Sequence, residues 1–171
     1  MIEEELFMNM VRDSIQDDLL IKFAIESNNI EGIFDDEKHR EHADSLKTFL
    51  NLPKINVSDL VDFVSKIQPN ARLRQKHGDN VWIGGKSAQD PITVAKSLDK
   101  VLYQINGDMI SPFVSHQHYE KIHPFTDGNG RSGRALWLWQ MMKFHNYNLK
   151  CLFLRMYYYQ TFTFFRDNYE E

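Results

Sequence analysis

A single cysteine, Cys151, stands in a chain of 171 residues. No disulfide can form within the chain, and the composition fits a reducing compartment. Cys151 itself reads as a small buried apolar residue. Long apolar runs are also missing: no uncharged stretch nears the roughly 20 residues that cross a bilayer as a helix. The opening Met-Ile-Glu-Glu-Glu lacks the positive start and apolar run of a signal peptide. These absences predict a cytoplasmic protein without a membrane partner. An excess of positive charge is absent too, since the net charge is −4, which argues against nucleic acid as a partner. Repeats, low-complexity tracts and Gly/Ser linkers do not occur. Apolar residues make up 42% of the chain, enough for a sizeable core, and the length suits one domain spanning 1–171.

Strand signals are scarce and helix signals many, so the fold class predicted is mainly α. Residues 5–26 carry Leu6, Met10, Leu19, Leu20, Phe23 and Ala24 at helical spacing. Ser27-Asn28-Asn29-Ile30-Glu31-Gly32 follows, with Gly32 as a helix terminator. On its own this segment reads as a solvated helix end. Residues 36–50 form a second helix opened by Asp35-Asp36. His39 and His42, three apart on it, read as a solvated face rather than metal ligands. A third helix starts at Asn56 or Ser58 and stops at Pro69-Asn70. Over 71–85, Leu73 and Val81-Trp82-Ile83 flank the polar tip Gln75–Asn80, with Gly84-Gly85 closing it. This is the one β-hairpin expected. Further helices run from Pro91 to about Asn106, from 109 to 121, and onward from Asn129. The last is apolar nearly all round and reads as the central buried helix. The aromatic tail 152–169 reads as helical.

Between two of these helices lies Ile122-His-Pro-Phe-Thr-Asp-Gly-Asn-Gly-Arg-Ser-Gly-Arg134. A packed core has no need of that mixture, and a phosphate site does. Glycines let the backbone present N–H groups to an anion. Asn129 can cap a helix whose positive end faces that anion. Arg131 and Arg134 add permanent, fork-shaped charge. Asp127 can hold a divalent cation, and His123 can move a proton near neutral pH.

This stretch resembles the motif of the Fic family (filamentation induced by cAMP), His-Pro-Phe-x-[Asp/Glu]-Gly-Asn-Gly-Arg-x-x-Arg, at every fixed position. His116-Gln-His-Tyr119-Glu120-x-Ile122 is similar to the family's lead-in helix, and Val81, Trp82, Ile83 and Gly84 to the second strand of its flap. The resemblance implies a Fic-type helical domain with a central motif helix and one hairpin flap. It implies transfer of AMP from ATP to a Ser, Thr or Tyr hydroxyl of a target protein. His123 would be the general base, and Asp127 the ligand of Mg2+. Gly128, Asn129 and Gly130 would form the anion nest, followed by Ser132 and Gly133 in the same phosphate-binding segment. Arg131 would hold phosphate, Arg134 would grip the γ-phosphate, and Phe125 would fix the loop. Tyr158 falls where related enzymes place a tyrosine beside adenine. Relatives often form homodimers, which makes a second copy an expected partner.

The resemblance also changes the weight of Ser27-x-x-x-Glu31-Gly32, within the region 5–34. It is similar to the [Ser/Thr]-x-x-x-Glu-[Gly/Asn] pattern of an inhibitory helix preceding the Fic core. Glu31 would then pair with Arg134 and compete with the γ-phosphate. Alternatives are transfer of another group, removal of AMP, or a non-catalytic regulatory or adaptor domain. Relatives that act as kinases carry lysine in place of the second glycine of the nest, and Gly130 argues against that chemistry.

Overall fold

The computed structural model describes residues 17–83 and 85–145. The expected helix over 5–16, the flap position Gly84, Cys151, Tyr158 and the tail 152–169 lie outside the described residues. Those described form six helices and one short two-stranded sheet, a mainly α fold as the sequence predicted. The helices are α1 (17–30), α2 (Asp36–Leu50), α3 (Val57–Ile67), α4 (Pro91–Asn106), α5 (Pro112–Ile122) and α6 (Asn129–Phe144). Strands β1 (Trp82–Ile83) and β2 (Lys86–Ser87) lie between α3 and α4. The chain divides into two compact units, with the boundary between Ala43 and Asp44, inside α2.

In the first unit, α1 buries Leu20, Phe23 and Ala24. It runs four residues beyond the expected end at 26 and stops with a glycine cap. Gly32 takes φ +74°, its N–H donates to the Asn29 carbonyl, and Ile33 N–H reaches back to Asn28. That pair of bonds satisfies the last carbonyls of the helix. His39 and His42 do not form the solvated face expected of them: both are buried. The Asn28 amide sits between them, its nitrogen 3.0 Å from His39 Nδ1 and its oxygen 3.0 Å from His42 Nδ1. Spacing along α2 could not reveal this, because the partner that makes burial tolerable lies on another helix.

The second unit is built around α6. That helix buries Ala135, Leu136, Leu138 and Trp139 and packs against α5 and α3, while α4 packs against α5 and α3. Caps fix where its helices begin. Asn56 and Asp59 close a capping box on α3, and Asp90 and Ser111 cap α4 and α5, each followed by proline at the first helical position. The proline at 112 moves the start of α5 later than the expected 109 and leaves Met109 exposed. Buried polar groups meet defined partners: Asn106 exchanges two hydrogen bonds with the Ile55 backbone, and Trp139 donates to the Leu52 carbonyl.

The hairpin is displaced from the position expected. Trp82 pairs with Ser87 and Ile83 with Lys86, so Val81–Ile83 leads the hairpin instead of closing it. Gly85, at φ +85°, lies in its turn. Leu73, expected in the first strand, instead bridges Phe125 in antiparallel fashion.

Replacing Leu138, fully buried in α6, by alanine is expected to cost about 2–5 kcal/mol of stability. The exposed Val61→Ala should cost no more than about 0.5 kcal/mol. Urea unfolding followed by far-UV circular dichroism measures both.

Candidate active site

All of the 122–134 stretch lies in the second unit, where α5 ends, a short loop turns and α6 begins. His123 caps α5 in the left-handed conformation, φ 49° and ψ 64°, with its N–H on the Tyr119 carbonyl at 2.9 Å. A non-glycine residue here is strained by roughly 1–3 kcal/mol. Pro124 disfavours right-handed helical geometry for the residue before it, and one side chain holds the left-handed turn. Arg74, fully buried, donates from Nη1 to the carbonyls of Ile122 (3.1 Å) and His123 (2.7 Å).

Arg74 was not singled out by the sequence. Its Nε also donates to the Asp79 carbonyl at 2.7 Å and its Nη2 to the Gln89 carbonyl. Burial lowers its pKa from the usual value, opposed by the charges of Asp79 and Asp90. Asp79 folds the intervening loop: its carboxylate accepts from the Gln75 and Lys76 amides, each at 3.2 Å, and from Arg72. The Gln75 amide foremost, with the Lys76 amide and Arg72, outweighs burial and holds this carboxyl below its ordinary value. The polar tip over 75–80 is therefore a clasp for the histidine loop. Three further bonds join the two segments: Arg74 N–H to Pro124, Thr126 N–H to Arg72, and Arg72 N–H to the Thr126 hydroxyl.

The other half of the loop is held from α6 and α3. Asn129 grips the Phe125 backbone with both ends of its amide, accepting from the N–H and donating to the carbonyl, each at 2.8 Å. It is therefore not the helix cap expected of it. Gly128 occupies that position at φ +78°, and no side chain caps α6. The Asn129 bond nevertheless fixes the loop so that the positive end of α6 stays uncapped. Behind it, Ser132 donates to the Gly128 carbonyl at 2.9 Å and lies 2.7 Å from the Tyr119 hydroxyl. With the serine proton so used, Tyr119 is the donor, and burial pushes its phenol pKa upward.

Asp127 is exposed. One oxygen accepts the Gly128 N–H and the other the Gln68 amide, both at 2.6 Å. Gln68 in turn accepts from Arg131 Nη2, and Arg131 Nη1 donates to the Ile67 carbonyl, each at 2.8 Å. Each terminal nitrogen of buried Arg131 thus donates one bond to the end of α3, which ties the loop to that helix. Arg134 is buried as well. Its charge acts on Glu120 and His116, one and two turns before His123 on α5.

His116 is buried against α6, and burial above all, with the Arg134 charge, takes its pKa down to about 4. Burial works to raise the Glu120 carboxyl, but His123, His116 and Arg134 together keep it below its usual value. Of the remaining residues singled out, Trp82 is 71% exposed on the hairpin, with Val81 and Ile83 beside it part-exposed. Gly130 and Gly133 lie in the first turns of α6. Ser27 is buried and Glu31 exposed, both in the first unit.

Fold and site together define a mainly α protein whose histidine-bearing loop closes onto the uncapped N-terminus of its central helix. The model of the Fic/DOC family matches residues 24–141, and the chain belongs to that family. Members of this family generally transfer nucleoside monophosphate groups to proteins. No curated protein matches the chain. Among the described residues no helix is long and apolar enough to cross a membrane.

His116 gives a pH prediction. Its native pKa near 4 lies below the usual 6.5, so above pH 6.5 both native and unfolded chains carry it neutral. Between pH 6.5 and 4 only the unfolded chain takes up the proton, and stability falls as pH falls. The loss is on the order of 3 kcal/mol across that window. His116→Gln should flatten this part of the stability profile, measured by urea unfolding from pH 4 to 8.

Proposed function

We propose that the protein is an adenylyltransferase that moves AMP from ATP to a hydroxyl side chain of a target protein, and that Glu31 restrains it. The observation that carries this reading is the junction at 123–134. It gathers one proton acceptor, one exposed carboxylate and an uncapped helix N-terminus within a single braced loop. Transfer of a phosphoryl-type group needs positioning and charge neutralisation more than covalent chemistry by the enzyme.

His123 takes the proton from the target Ser, Thr or Tyr hydroxyl. The oxygen attacks the α-phosphorus of ATP in line, forming the new O–P bond as the bond to the β-phosphate oxygen breaks. Pyrophosphate leaves. The first N–H groups of α6, including those of Asn129 and Gly130, receive phosphate oxygens with the helix dipole behind them. Arg134 takes the γ-phosphate. Asp127 fits a magnesium ion: a hard, exposed carboxylate, already oriented by Gln68 and the Gly128 amide. Among the described residues no three His, Cys, Asp or Glu side chains converge on one metal position. Nucleotide phosphates and water would complete the shell, and the ion would neutralise phosphate charge.

The inhibitory reading rests on the Ser27-x-x-x-Glu31 pattern and on one local observation. Glu31 directly follows the last residue of α1, next to the Gly32 cap. A carboxylate at the negative end of a helix is locally unfavourable, so local stability does not account for it. In this reading Glu31 acts by taking Arg134 and so denying the γ-phosphate its partner.

Glu31→Gly is expected to raise labelling of the protein itself or of target proteins from ATP labelled on the α-phosphate with magnesium. Adding His123→Ala should cut that labelling by about 10²- to 10⁴-fold. Competition by unlabelled ATP but not UTP identifies the nucleotide. Absence of any transferred label from the Glu31→Gly protein would sink the reading.

A further inference from the structure

The proposed reaction requires a neutral imidazole with one particular nitrogen free. We propose that Glu120 is the positioning residue of His123, its carboxylate accepting the Nδ1–H so that Nε2 is left as the proton acceptor. This deepens the reading of His123 as general base and rests on it.

The geometry carries the proposal. Glu120 lies one turn before His123 on the last turn of α5, and its Oε2 is 3.6 Å from His123 Nδ1. That nitrogen is buried and makes no hydrogen bond. A buried ring nitrogen without a partner is costly, and the Glu120 carboxylate lies a few tenths of an ångström beyond bonding distance. Catalytic hydrogen bonds are often long before substrate binds and tighten in the reacting complex. Glu120 is also prevented from drifting away. On its other side, Oε1 lies against α6 where Gly133 has no side chain. A Cβ built on Gly133 would stand 2.7 Å from Oε1 and 3.0 Å from the His116 ring. The glycine therefore makes the recess in which the carboxylate sits. The Arg134 charge favours the ionised form, the form that accepts from Nδ1.

A purely structural role, tying α5 to α6 through charge, predicts no effect on the tautomer of His123. The two roles separate by 15N–1H long-range correlation spectra of the full-length chain labelled at histidine, at pH 8 and without nucleotide. The His123 signals are assigned by their loss in His123→Ala. The wild-type ring is expected as the Nδ1–H tautomer. Glu120→Leu should convert it to the Nε2–H form, and Gly133→Ala should do the same by displacing the carboxylate without removing its charge. An Nε2–H ring in the wild-type protein overturns the proposal, even if neither variant folds.

Kinetics give a second test, in the Glu31→Gly background. Glu120→Gln should lower kcat by about 100-fold while KM for ATP moves by less than about twofold. Unchanged kcat in Glu120→Gln also overturns the proposal. If the tautomer behaves as expected and His123→Ala still transfers label, the pairing stands and the general-base reading fails. If label transfer requires His123 but the wild-type ring is Nε2–H, the pairing alone fails.

Discussion

The guanidinium of Arg74 is the interaction on which the site depends. Four backbone carbonyls, those of Asp79, Gln89, Ile122 and His123, converge on it. A buried charge without partners would cost many kcal/mol, and hydrogen bonds to a charged donor are each worth roughly 1.5–3 kcal/mol. Here the carbonyls provide them. Two of the four end α5, so the charge also sits at the negative end of that helix. One side chain thereby satisfies a helix terminus, holds a left-handed histidine in place and closes the segment from 74 to 89 around itself.

The two halves of the loop are braced in different ways, and the difference suits their tasks. The histidine half is held through backbone: Arg74 to carbonyls, and residues 72–74 to 124–126 as a short antiparallel pairing. No side chain of His123 is used up in that support. The half next to α6 is held by side chains, Asn129 onto Phe125, Ser132 onto Gly128, and Gln68 onto Asp127. Arg131 completes that brace by anchoring to the carbonyl end of α3. Preorganisation of this kind matters because a site that must reorient at the moment of reaction loses the advantage of fixed dipoles.

Much of this arrangement was legible in the sequence, for identifiable reasons. Pro91 and Pro124 mark boundaries because each fixes local geometry regardless of what packs around it. The 122–134 stretch marks the family, whose model matches residues 24–141, because its glycines, charges and histidine stand at fixed spacing. What escaped notice depends on partners distant in the chain. Arg74 sits in a polar run that reads as solvent-exposed, and its four acceptors come from three separate segments. His39 and His42 look like a wet helix face until Asn28 is placed between them. The hairpin is a different case. Gly84-Gly85 is a strong two-residue turn signal after Val81-Trp82-Ile83. The apolar Leu73 upstream diverted the pairing to the wrong side, although its true partner is Phe125.

The placement of the loop between two helices explains why a single short motif can serve both halves of the proposed reaction. α5 ends where His123 begins, and α6 starts five residues after Pro124, at Asn129. The negative end of one dipole and the positive end of the other therefore flank the same loop. In the proposed reaction a proton taken up by His123 would place positive charge at the negative end of α5, and the phosphates would lie at the positive end of α6. Gly133 brings them together one turn further along α6: the absence of a side chain there lets Glu120 and His116 of α5 approach the α6 backbone. The spacing from the histidine to the last arginine is then a consequence of geometry. Six residues, His123 to Gly128, bridge two opposed helix ends, and the next turns of α6 carry the glycine that α5 packs on and the arginine whose charge reaches Glu120.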